Sequence, residues 1–145
     1  MNKKKIKTMT TKFIDGDISL REYNPNGNIL HYKSNKEEYW KEYDENNNEI
    51  HNIGHDKYGN SWEIWSEYNS NGYEVYYKNN IGDERFSEYD ADNRLIHYKE
   101  RMIEYWTEYS NNNIHYRDND GFEYWKECDS NNNDIHYTDT NGYEY

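Results

Sequence analysis

A chain of 145 residues with strongly negative mean hydropathy, three leucines and a single valine cannot build a conventional aliphatic core. Full disorder is excluded as well, because 18 Tyr, 5 Trp and 3 Phe carry burial energies that disordered segments lack. The formal charge of −12 disfavours contact with a phosphate backbone and favours a basic partner.

Charge is unevenly placed. Residues 1–12 hold five lysines and no acid, whereas the remainder holds 29 acids against 12 bases. Residues 1–7 read as a basic, flexible tail, and 8–145 as a single repeat domain. No apolar stretch follows Met1, so neither a secretory signal nor a membrane span is expected, and the reading is a cytoplasmic protein. From Thr8 the chain alternates into Phe13-Ile14 and turns at Asp15-Gly16-Asp17. The first full repeat starts at Ile18.

Two marks then recur. The first is Glu-Tyr before Asp, Asn or Ser, beginning at Glu22, Glu42, Glu67, Glu88 and Glu108, with Glu127-Cys128 as its last copy. The intervals are 20, 25, 21, 20 and 19 residues, and a large apolar residue precedes each Glu by two: Leu20, Trp40, Trp65, Phe86, Trp106 and Trp125. The second mark is an apolar residue followed by His and Tyr, as in Leu30-His31-Tyr32, Ile96-His97-Tyr98 and Ile135-His136-Tyr137. Asn, Asp and Gly fill the gap between the marks and predict a hairpin tip. The fold class is therefore all-β: about six tandem hairpins of ~20 residues forming an elongated antiparallel meander or solenoid-like sheet.

Pairing around the Asn turn sets Glu42 opposite His51 and Tyr43 opposite Ile50. One face then holds Tyr39, Tyr43 and Ile50 and is the packed one; the other holds Trp40, Glu42 and His51. Copies of Glu two strands apart stand roughly 9–10 Å from one another. The step from Glu to His is nine residues in five repeats and seven in the fifth, from Glu108 to His115. Losing two residues keeps every side chain on its face, and a change of one is expected to invert the sheet. Bulges are expected in the second connections, where the step from His to Trp varies.

The third repeat departs most. Ile53-Gly54-His55-Asp56-Lys57-Tyr58-Gly59-Asn60 and an extra Trp62 intervene between His51 and Trp65, and are expected to form an irregular loop. Long loops on a regular scaffold often carry function, which singles out His55, Asp56, Tyr58 and Trp62.

Catalytic chemistry finds little support, because the same carboxylates and imidazoles recur in every repeat without a singular constellation. Histidines of successive repeats stand too far apart for Zn–N bonds of about 2.0–2.1 Å, so no metal and no cofactor is expected. Cys128 is alone and takes a position that other repeats give to Tyr, which suits packing rather than reactivity.

The pairs Tyr43-Asp44 and Tyr89-Asp90, with an Asn/Gly turn and a further aromatic about twenty residues on, resemble the YD repeats of rearrangement-hotspot proteins. The unit is also similar to variant MORN-type hairpin repeats, and its Trp, Tyr and turn Asn-Gly to choline- or glucan-binding wall repeats. The first two resemblances imply a hairpin-repeat fold.

The function expected from charge and size is non-enzymatic. It is an acidic nucleic-acid mimic that inhibits a nucleic-acid-handling protein, of the phage anti-restriction or anti-CRISPR type. Its partner is a basic protein, such as a nuclease with a nucleic-acid-binding channel, and neither nucleic acid nor membrane is bound directly. The binding face comprises Glu42, Glu67, Glu88, Glu108 and Glu127 with Trp40, Trp65, Trp106 and Trp125. Alternatives are a glycan- or choline-binding module that uses those tryptophans as platforms, and an immunity-type partner of a toxin.

Overall fold

The computed structural model describes residues 7–12 and 17–145. Most of the expected tail, and the turn at Asp15-Gly16, lie outside the described residues; Lys7, expected in the tail, opens the first strand. The described residues form thirteen strands, without helix, in two compact units. The first, Met1–Asp83, holds β1 (Lys7–Lys12), β2 (Ile18–Tyr23), β3 (Ile29–Lys33), β4 (Glu37–Tyr43), β5 (Glu49–Asp56), β6 (Ser61–Tyr68) and β7 (Glu74–Asn79). The second, Glu84–Tyr145, holds β8 (Glu84–Tyr89), β9 (Leu95–Glu100), β10 (Ile103–Ser110), β11 (Asn113–Asp118), β12 (Glu123–Cys128) and β13 (Asp134–Asp139).

In each unit the strands pair antiparallel in chain order, and strands touch only their neighbours in sequence, so each is an open, single-layer meander. Neither face of either sheet receives a second layer from its own unit. The buried residues that result are small: Ser19, Gly54, Ser66, Ser87, Thr107 and Cys128. Order comes instead from ladders of cross-strand side chains. In the second unit Tyr98, Tyr105, Tyr116, Tyr124, Tyr137 and Tyr145 follow one another with ring centroids 5.1–5.6 Å apart. The face expected to be packed is this tyrosine face, held by its own rings rather than by a covering layer.

Turn chemistry is uniform. Nine turns open on Asp or Asn, at Asn24, Asp44, Asp56, Asn69, Asn79, Asp90, Asp118, Asp129 and Asp139. At Asp44 the side-chain Oδ1 accepts the amides of Asn46 and Asn48, and the backbone carbonyl accepts the amide of Asn47, whose φ is 69°. This is a three-residue hairpin loop closed by a left-handed residue, which explains why the fourth turn position is always Gly or Asn. Neighbouring hairpins are also stitched at their ends. Asn119 exchanges hydrogen bonds with Glu104, its amide donating to the carbonyl and its Oδ1 accepting the backbone N–H, while its Nδ2 reaches the Met102 carbonyl.

Three register expectations change. Glu42 does pair with His51, but Tyr43 lies opposite Glu49 rather than Ile50, because a bulge falls between Glu42 and Tyr43. The same bulge recurs in the hairpins of Glu22, Glu67, Glu88 and Glu127, whereas the second connections β3–β4, β5–β6, β9–β10 and β11–β12 pair without one. The fifth hairpin loses one loop residue and the bulged residue, which leaves Glu108 opposite His115 around a two-residue turn. Second connections tolerate single-residue changes, from the turn after Glu100 to the longer one after Asp118. Residues paired across two strands always share a face, so loop parity does not invert a sheet.

The segment from Ile53 to Trp62 is not an irregular loop. His55 and Asp56 complete β5, Trp62 is the second residue of β6, and Tyr58 sits in the same tight turn used elsewhere. Each strand is two residues longer, and the faces are kept. Gly54 lies opposite Tyr39, in the position that Asp118 takes opposite Tyr105 and Asp139 opposite Tyr124, and the indole of Trp62 from the next strand lies over it. Trp62 Nε1 donates to Asn52 Oδ1 at 3.0 Å, which holds the ring there. A Cβ at Gly54 would lie 2.5 Å from Trp62 Cζ2, 2.6 Å from Tyr39 Cβ and 2.7 Å from the Glu38 carbonyl. Gly54→Ala is therefore expected to destabilise the protein by about 1–3 kcal/mol, read as a lower urea midpoint at unchanged m-value. A midpoint equal to the parent's would count against this packing.

Candidate binding face

The face opposite the tyrosines repeats a row of five side chains across successive strands. In the first unit one row runs Glu22, His31, Trp40, Ile53, Glu63. In the second unit its counterpart runs Glu88, His97, Trp106, Arg117, Glu123. Four His rings lie flat on the next Trp: His31 on Trp40 at 4.8 Å, His51 on Trp65 at 5.5 Å, His97 on Trp106 at 5.0 Å and His115 on Trp125 at 4.9 Å. Pleating makes this pairing possible, since directly opposed Cβ atoms sit only about 4.5–5.5 Å apart.

Two carboxylates flank each of these four imidazoles. The Glu of the recurring Glu-Tyr pair approaches Nδ1: Glu22 on His31 at 3.5 Å, Glu42 on His51 at 3.9 Å and Glu88 on His97 at 3.7 Å. A second Glu reaches Nε2 more closely, at 3.0 Å in three cases: Glu38 on His31, Glu63 on His51 and Glu104 on His97. Glu108 and Glu123 flank His115 at 4.0 and 3.7 Å. Sequence reading missed this inner Glu, although its signal is present: a Glu stands two residues before every Trp of the ladder, at 38, 63, 104 and 123.

The two carboxylates differ in setting. Outer side chains are mostly open to solvent, 71% for Glu42, 68% for Glu88 and 74% for Glu108, whereas inner Glu38 is 16% exposed. A hydrogen bond from Lys33, and then one from His31, holds Glu38 below the ordinary carboxylate value; Lys99 and then His97 do the same for Glu104. Thus inner carboxylates are occupied by the sheet itself and outer ones face outward.

Each repeat is displaced by two residues along the strand, because Glu88 lies level with Trp106 while Glu108 sits two positions further on. Two strands at about 4.8 Å and two residues at about 3.4 Å put successive outer Glu roughly 12 Å apart, not the 9–10 Å expected without the stagger.

Trp40, Trp65, Trp106 and Trp125 share this face with Glu42, Glu67, Glu88, Glu108 and Glu127 in their respective units, and Glu127 lies opposite His136. Glu67 faces Tyr76 instead of a His. His55 stands beside Glu38 on this face, Asp56 anchors its turn, and Tyr58 projects from the tip at 77% exposure with Lys57 over its ring. Trp62 lies on the tyrosine face. Cys128 is buried and its thiol is pushed up by desolvation and by Asp134.

No protein-family model matches the chain, and no curated protein matches it. Among the described residues no helix is long and apolar enough to cross a membrane.

Glu38 and Glu104 titrate lower in the folded state than their ordinary 4.5, so their contribution is complete above that value and is lost as pH falls through the folded one. The turn carboxylates Asp44, Asp56, Asp90 and Asp129 act in the same sense. Urea midpoints measured between about pH 5 and pH 3 should therefore fall, and Glu38→Gln with Glu104→Gln should flatten that limb. A limb of unchanged steepness in the double variant would remove these two groups from the account.

Proposed function

We propose that the protein is a non-enzymatic binding protein whose acidic face engages a basic protein, as a nucleic-acid mimic occupying the channel of a nuclease or related enzyme. The supporting observation is charge density. The unit Glu84–Tyr145 has 15 acids against 6 bases, a net −9 on six strands. At about 4.8 Å per strand this amounts to roughly one charge per 3 Å, close to the one per 3.4 Å of a nucleic-acid strand. Exposed Glu88 and Glu108 recur along it at regular spacing, free of the lysine contacts that occupy Glu104.

A sugar-stacking role for the tryptophans is less well supported. Stacking needs an open ring face, yet Trp106 carries His97 on one side and the Arg117 guanidinium 4.9 Å from its centroid. The reading takes the protein as cytoplasmic, where the free thiol of buried Cys128 would persist.

The test is inhibition of DNA cleavage across a panel of phage-targeting nucleases. At least one should be inhibited, with potency falling at least about tenfold between roughly 50 and 200 mM salt, and with no binding of the protein to DNA. Combining Glu88→Lys, Glu108→Lys and Glu127→Lys should abolish inhibition while the fold is retained. Undiminished cleavage by every nuclease, or direct DNA binding, would overturn the proposal.

A further inference from the structure

We infer that the patch centred on Ile53, in the unit Met1–Asp83, anchors a cationic protein segment that inserts one apolar side chain between Arg or Lys residues. The inference rests on the proposed acidic binding face and adds where, and by what chemistry, a partner is gripped.

The position opposite the large apolar residue that precedes each outer Glu by two is a cation in four of six repeats. Lys33 stands between Leu20 and Glu38, Lys99 between Phe86 and Glu104, and Arg117 between Trp106 and Glu123; Lys78 lies opposite Trp65. These cations serve their neighbours. Lys33 Nζ is 2.7 Å from Glu38 and Lys99 Nζ 3.1 Å from Glu104, while Arg117 covers the ring of Trp106. Thr138, opposite Trp125, keeps a polar group at this site. Ile53 is the one apolar residue in this position among the described residues.

The substitution has two consequences. Trp40 and Ile53 face each other across β4 and β5, 42% and 38% exposed, with Trp65 at 36% one strand over on the neighbouring row. Trp40 directly opposite Ile53, and Trp65 diagonal to it across β5 and β6, put two exposed indoles around one aliphatic side chain, with Lys78 on the far side of Trp65. Glu63, beside Ile53, also receives no Lys or Arg from its row, and its ion pair among the described residues is the one with His51. Outer carboxylate Glu42, 71% exposed, stands two residues along β4 from Trp40, and Glu22, 38% exposed, lies one strand beyond His31.

An apolar centre rich in Trp, ringed by acids and lacking the cation the repeat supplies elsewhere, fits a partner that brings both. Its apolar side chain would lie on Trp40 and Ile53, and a flanking Arg or Lys would meet Glu63 in the place that Lys99 takes at Glu104. The wider acidic face supplies attraction that depends on salt, and the patch supplies a contact that does not.

Calorimetry on the full chain tests this with two synthetic peptides. One carries a Leu-Trp pair between clusters of three arginines; the other has Gly-Ser in place of Leu-Trp. The first is expected to bind the parent at least about tenfold tighter, and Ile53→Lys, which copies the repeat's own Lys78 and Lys99, should erase that difference. Ile53→Thr, copying Thr138, gives a second fold-preserving variant with the same expected loss, and Met102→Thr, in the exposed turn after β9, should leave the difference intact. Equal affinities for the two peptides, or a preference that survives both Ile53 variants, would overturn the anchor while leaving the acidic face standing. Absence of binding by either peptide at low salt would overturn both.

Discussion

Everything in this protein depends on contacts between side chains directly opposed across antiparallel strands. A sheet covered by helices or by a second sheet gains its stability from a shared apolar interior. Here each unit is one layer, the buried side chains are Ser, Thr and Cys, and the rings lie half exposed against one another. Cross-strand pairs of this kind contribute about 0.2–1 kcal/mol each, so order requires many of them in unbroken series. Repetition is thus a physical requirement: one hairpin with a handful of pairs is marginal, whereas a stack adds the same contacts at each step.

The two faces solve the exposure problem differently. On one, tyrosines stack with their hydroxyls toward water or carboxylates, as Tyr137 does with Asp139 at 3.3 Å. On the other, an imidazole is stacked on an indole and held from both ends by carboxylates, so an apolar contact and charge-assisted hydrogen bonds share one side chain. The inner Glu of each grip is consumed by the sheet and the outer one is not. This division leaves a row of acids available without weakening the strands that carry it.

Much of this was legible from residue order. Six copies of the Glu-Tyr mark, each followed by turn formers, imposed hairpins, and the opposition of Glu42 and His51 followed from counting around the tip. The inner Glu residues were equally visible at two positions before each Trp but went unread, because their partner lies on the preceding strand and not in the same hairpin. The third repeat was misread as a loop because Gly54 and the extra Trp62 break the motif. In space they pair across β5 and β6, the glycine making room for the indole.

The sequence by itself determined an all-β chain of hairpins, the spacing of its turns and the identity of the face that carries Glu, His and Trp, since a period of two and a run of turn formers constrain the backbone locally. Only the tertiary structure decided the two-residue stagger between repeats and the second carboxylate on the histidines that stack on Trp. Those depend on how one hairpin registers against the next, which is set by hydrogen bonds and ring contacts between residues that no single repeat contains.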